Sequence, residues 1–148
     1  SRGQQNEPTG PTPIQIQPGF TPQPTVTSGN SDLGTRPAFE VAGSHCRGSI
    51  TEEPSHIIDV TADIPMLHVA VCGSSGDPTL VIRTPSGSYL CNDDFEDRNP
   101  RVSEPFPAGR YEVFVGTFRG QGGGGPYRLG ISEQPLRPFN LLRFFSEQ

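Results

Sequence analysis

The sequence has no lysine and no tryptophan. All 11 basic residues are arginines, so Schiff-base chemistry, a phosphate-loop lysine and Lys–Asn isopeptide cross-links between subunits are excluded. Apolar residues are scarce, at 31% of 148, whereas glycine (18) and proline (17) are abundant. That balance leaves part of the chain unable to enter a core. No apolar run approaches the ~20 residues of a membrane-spanning helix, so no transmembrane segment is expected. No signal peptide is legible, and a mature secreted protein would have lost one. The net charge is −5, and the arginines are scattered singly rather than gathered into a stripe. Nucleic acid is therefore not an expected partner.

Cysteine is also sparse. Cys46, Cys72 and Cys91 match no zinc or redox spacing. One disulfide and one leftover thiol in an extracellular setting is the simplest account, with the odd cysteine either buried or bridging to another chain.

Residues 1–37 read as an extended arm rich in Pro, Gly and Thr, too poor in large apolar groups to offset its own ordering entropy. Within it, Ile14 and Ile16 alternate with glutamines at strand period, and Phe20 and Val26 follow as isolated anchors. The arm is thus a candidate donated strand. From Ala38 the pattern changes to short β-type runs: 38–41, 49–50, 56–61, 66–72, 79–83, 88–91, 110–118 and 127–132. Turn signals separate them, including Thr84-Pro85-Ser86-Gly87, where Pro85 suits the second position of a hairpin turn. No long window shows a helical stripe. The expectation is an all-β, jelly-roll-like antiparallel β-sandwich over residues 38–134, preceded by the extended N-terminal arm. Residues 135–148 are unexpectedly apolar for a terminus and are expected to pack on the sandwich as a final strand.

Several segments are similar to the bacterial pre-peptidase C-terminal (PPC) domain. They are Cys46-Arg47-Gly48-Ser49-Ile50, Asp77-Pro78-Thr79-Leu80-Val81-Ile82 and Pro85-Ser86-Gly87-Ser88-Tyr89-Leu90-Cys91-Asn92-Asp93-Asp94. Asn99-Pro100, Pro107-Ala108-Gly109-Arg110-Tyr111-Glu112-Val113-Phe114-Val115-Gly116 and Tyr127-Arg128-Leu129-Gly130-Ile131-Ser132 complete the series. The resemblance covers about 90 residues (46–133) and none of the arm. It implies a secreted, non-catalytic β-sandwich, extracellular or at the cell surface, often appended to peptidases, with calcium bound in some relatives. It also implies a Cys46–Cys91 disulfide with Cys72 spare. Such a loop would contribute roughly 3–4 kcal/mol in the chain-entropy model.

The acidic turn 92–99 is the best candidate for chemistry. Asp77, Asn92, Asp93, Asp94 and Asn99 could supply oxygens to calcium. It is no EF-hand: counted from Asp93, position 3 is Phe95 and position 6 is Arg98. The plain alternative is a solvated turn whose Asn and Asp residues cap their own backbone. Gly120–Gly125 satisfies the G-x-G-x-x-G pattern, but it is followed by a strand-like run rather than a helix, which makes it a hairpin loop. His45, His56 and His68 belong to no nucleophile motif and read as surface or edge histidines, so no enzyme is expected. Tyr89, Phe95, Phe106, Phe118 and Tyr127 could offer aromatic faces to a sugar or peptide.

Two functions follow. The first is an extracellular structural subunit that forms homo-oligomers or polymers, its arm adding to a neighbouring sandwich through Ile14 and Ile16. The second is a secreted module that binds an extracellular protein or glycan, with or without calcium, its arm folded back on its own surface.

Overall fold

A computed structural model describes residues 11–31, 36–74, 77–92, 95–96, 98–118 and 124–145. Runs such as HIIDV and TLVIR become strands because β-branched residues pack well on a pleated surface. The strands are β1 (Ile14–Ile16), β2 (Thr25–Asn30), β3 (Arg36–Pro37), β4 (Ser49–Ile50), β5 (His56–Val60), β6 (Ile64–Gly73), β7 (Pro78–Arg83), β8 (Tyr89–Asn92), β9 (Arg101–Phe106), β10 (Gly109–Thr117) and β11 (Pro126–Ser132). They form two packed sheets, so the chain is an all-β sandwich, as expected. In the first sheet, long β10 pairs with β5 and β4 along one side and with β7 along the other. β1 closes one edge and β8 the other. The second sheet runs β2-β11-β6-β9.

The main core lies between the sheets. Alternate residues of the long strands fill it, among them Val69, Val71, Leu80, Ile82, Val113, Val115, Leu129 and Ile131. The other parity is covered too, which is why the strands read as nearly continuous apolar runs. Outside the first sheet, Val81 and Phe114 pack under Ala38, Ala42, Cys46 and Ile50. Outside the second, Ala70 and Cys72 pack under Leu136 and Leu141.

Three expectations require correction. Residues 38–42 form a short α-helix, α1 (Ala38–Ala42), rather than a strand. Ala38 and Ala42, one helical turn apart, face the sheet, and Gly43 at φ 109° ends the turn. The C-terminal segment does pack on the sandwich, but as a 3₁₀ helix, Pro138–Phe145. Residue 37/38 is not a structural boundary, because β1 and β2 of the arm are strands of the two sheets. The arm has too few apolar groups for a core of its own, yet a strand added to a formed sheet needs only a few.

The Thr84–Gly87 turn folds as its residues dictate. Gly87 donates its amide to the Thr84 carbonyl, Thr84 donates to the Ser88 carbonyl, and Gly87 adopts φ 91°. This hairpin fixes the register of β8 on β7.

Candidate functional site

The arm accounts for one side of the sandwich. Ile14 and Ile16 stand in parallel register with Ile58 and Val60, and the Ile16 carbonyl accepts the Thr61 amide at 2.9 Å. Ile16 is 3% exposed within the main core, and Ile14 and Phe20 pack against that core. The chain then crosses to the second sheet, where β2 pairs with β11 and Val26 joins the cluster under the C-terminal helix. Gln23 pins the crossing: its Oε1 accepts from the Glu133 amide at 2.7 Å, and its Nε2 donates to the Glu133 carboxylate at 2.7 Å. All four expected arm anchors therefore sit on the chain's own sandwich.

The other side is where β8 and β9 edge the two sheets. A cleft of two adjoining cavities lies there. One, of about 400 Å³, is lined by His45, Tyr89, Cys91, Phe95, Arg101 and Ser103, among others. The second, of about 290 Å³, is walled by Pro85, Ser88, Pro105, Pro107 and Tyr111. Leu90 and Glu104 line both, so the two cavities adjoin at these residues. Larger hollows of about 670 and 500 Å³ flank the C-terminal helix, at seams where arm residues Gln23 and Pro24 meet it.

Hairpin register decides which groups of β8 face the cleft. In an antiparallel ladder, hydrogen-bonded pairs alternate. The Thr84–Ser88 pair is bonded, so Leu90 and Asn92 bond to Ile82 and Leu80, while Tyr89 and Cys91 turn their main-chain groups away from β7. On β9 the Val71 amide donates to Pro100, which turns Arg101, Ser103 and Pro105 to the open edge. There the Arg101 amide is taken by Asn92 Oδ1 at 3.2 Å, and Pro105 has no amide to offer. The Arg101 guanidinium lies 3.9 Å over the Phe95 ring and donates to the Leu136 carbonyl at 3.4 Å.

Two of the expected calcium ligands, Asn92 and Asn99, have other partners here. Asn92 holds the Arg101 amide, and Asn99 Oδ1 accepts from the Gly73 amide at 3.1 Å. Asp77 is buried, and its main-chain carbonyl, not its carboxylate, accepts from the Phe118 amide. Asp93 and Asp94 lie outside the described residues. The described residues alone do not assemble the six to eight oxygens of a calcium cage. Glu96 of the same turn clamps the C-terminal helix, accepting from the Phe139 amide and pairing with Arg137. Burial pushes its carboxyl up, but these donors outweigh it and hold the group below its usual range.

Cys46 and Cys91 are disulfide-bonded, with Cα atoms 5.5 Å apart, and Cys72 is free and buried. Burial, followed by the Glu96 charge, pushes the Cys72 thiol up to about 11, so it is not a nucleophile at neutral pH. His45 adjoins the disulfide, but both sulfurs are already bonded, so the group offers no thiolate to a metal.

The expectation of surface histidines fails for His56 and His68, each 8% exposed. His56 Nε2 lies 2.7 Å from the Tyr127 hydroxyl between the sheets. His68 Nδ1 lies 2.7 Å from Ser103 Oγ, its directly opposite residue in the β6–β9 register. Of the expected aromatic faces, Phe106 and Tyr127 are buried in the core, while Phe95 and Phe118 are exposed. Arg101, Glu104 and Leu90 are cleft residues that the sequence did not single out. Charged residues and Pro105 break the β pattern of 101–106, so that strand was not legible. The Gly-rich loop joins two strands, which removes the helix that a nucleotide fingerprint needs, and residues 119–123 lie outside the described set.

Burial drives the His56 pKa down to about 4, against 6.5 for a free imidazole. The unfolded chain therefore binds this proton more readily, and stability that is complete above pH ~6.5 falls as pH drops toward 4. At 1.36 kcal/mol per unit, the loss between pH 7 and 4.5 is roughly 2–3 kcal/mol. Urea unfolding at the two pH values should show this drop in the wild type and a much smaller one in His56→Gln. Equal drops in both would refute the assignment.

No family model matches the chain. An uncharacterised protein of Synechococcus elongatus is 41% identical over 59 residues, which is 40% of this chain and 42% of that protein. The chain thus spans less than half the length of the curated relative it matches. Among solved structures, the pre-peptidase C-terminal domain of a Bacillus anthracis collagenase has a TM-score of 0.51 at 13% identity, covering 85% of this chain and 100% of that one. A periplasmic inhibitor of g-type lysozyme from Aeromonas hydrophila has a TM-score of 0.41 at 14% identity, covering 83% and 98%. The chain therefore has a PPC-like β-sandwich fold. Its disulfide suits an oxidising compartment, and no helix among the described residues is long and apolar enough to cross a membrane.

Proposed function

We propose that this chain is a secreted, non-catalytic module that binds an extracellular polymer, protein or glycan, in the β8–β9 cleft. The observation that carries the reading is the asymmetry of the sandwich: the arm covers one pair of sheet edges in cis, and the other pair borders a cleft of two adjoining cavities. The cleft has the mixed lining of a recognition site, with an aromatic ring under an arginine, a carboxylate and prolines. The seated arm also favours this reading over donation to a neighbour, since Ile14, Ile16, Phe20 and Val26 already have partners. Support for a non-catalytic role comes from the histidines. His56 is sealed against Tyr127, and His68 is held by its cross-strand serine.

The test is co-sedimentation of the full chain with chitin, cellulose, peptidoglycan and collagen, with and without EDTA, beside analytical ultracentrifugation. A monomer retained by one polymer, with retention reduced at least tenfold in Phe95→Ala and unchanged in Ser28→Ala, supports the proposal. EDTA sensitivity would return the acidic turn to a calcium role. No retention at all, together with concentration-dependent polymers of the wild-type chain, would sink it in favour of arm-mediated assembly.

A further inference from the structure

The two sides of this sandwich differ in one chemical respect. Where β1 and β2 lie, edge amides and carbonyls meet an extended strand of the same chain. At β8, Tyr89 and Cys91 present theirs to the cleft. The β9 edge opposite is blunted, because Pro105 lacks an amide and Asn92 occupies that of Arg101. Ser103 is left as the one outward β9 residue with an amide to offer, so an incoming strand finds the longer run of complementary main-chain groups on β8.

We infer that the β8 edge takes a short extended segment of a partner polypeptide as an added strand, with an arginine or lysine of that segment set against Glu104. This rests on the binding-module reading and names its ligand class. Strand addition draws affinity from main-chain hydrogen bonds and specificity from alternate side chains. The arm shows the same principle within the chain, since three residues of β1 suffice to hold a parallel register on β5. The two cavities meet at Leu90 and Glu104, so alternate side chains of an added strand, roughly 6–7 Å apart, would fall into successive sockets. Charge sets the specificity. Arg101 is engaged by Phe95 and the Leu136 carbonyl, whereas the exposed Glu104 carboxylate stands where the sockets meet, on a chain of net charge −5.

The experiment selects linear eight-residue peptides from a displayed random library on the wild-type full chain. Selected peptides are then resynthesised with each amide N-methylated in turn. An added strand predicts a basic residue at one position and at least tenfold losses that recur every second residue. Glu104→Lys should replace the basic preference with an acidic one. Tyr89→Pro should abolish binding while Tyr89→Ala, which keeps the amide, retains part of it; the N-methyl series needs no variant and so does not depend on their folding. Peptide binding without the two-residue period, or indifferent to Glu104→Lys, overturns strand addition but leaves the binding-module reading standing. Retention by a glycan with no peptide selected overturns the polypeptide class alone. Self-association lost in Tyr89→Pro would assign the edge to a second copy instead. Binding of neither polymer nor peptide overturns both.

Discussion

Ile16→Ala is expected to lower the unfolding free energy by about 3 kcal/mol, within the usual span for truncating a buried isoleucine. Ile16 is 3% exposed and belongs to the same cluster as Ile58, Val60 and Tyr111. For a chain of this size the loss corresponds to a fall in Tm of roughly 6–12 °C. Thermal unfolding at several protein concentrations checks it and separates two meanings of the arm. An arm seated in cis makes the loss independent of concentration, because the core it completes is its own. An arm that works only in a neighbour would leave the monomer's Tm unchanged and weaken association instead. Ile14→Ala should have a smaller effect in the same direction, since Ile14 is only partly buried.

Loss of the Cys46–Cys91 disulfide is the second large effect. The bond closes a span of 45 residues, which in the chain-entropy model is worth about 4 kcal/mol. It ties the α1–β4 segment to β8, over Val81 and Phe114. The double variant Cys46→Ala, Cys91→Ala should therefore unfold at a lower denaturant concentration, with early proteolysis near residues 38–48 where that cover is released. Cys91 also lines the cleft, so peptide or polymer retention should weaken with it. Denaturation with and without a thiol reductant provides the check, and equal midpoints would refute it. Cys72 should stay silent to thiol reagents until the chain unfolds, because it is buried and its thiol is pushed up to about 11.

Much of the fold was legible from local pattern. Runs rich in Val, Ile and Tyr, cut by Gly and Pro turns, predicted seven of the strands, and the hairpin turn at Pro85 lies where expected. β2 and β9 were not legible. Thr25–Asn30 holds a single aliphatic residue and Arg101–Phe106 contains Pro105, so each is a strand only because a neighbour supplies its ladder. α1 was misread because five residues are too few for periodicity to tell a helix from a strand. In the acidic turn, composition shows the side-chain oxygens but not the amides that bond to Asn92 and Asn99. His56 and His68 carried no local sign of burial, which depends on what the opposite sheet or adjacent strands place over them.

By itself the sequence determined the class of the molecule: an all-β chain without lysine, its strands spaced by turns. These follow from local preferences, which each short segment expresses independently of the rest. Only the tertiary structure decided where the arm goes and which edges stay open. A strand's edge groups are satisfied by whichever segment lies beside it, and that choice depends on contacts more than a hundred residues apart, such as Gln23 with Glu133. The cleft between β8 and β9 exists for the same reason: the arm covers the opposite pair of edges and leaves this one bordered by open space.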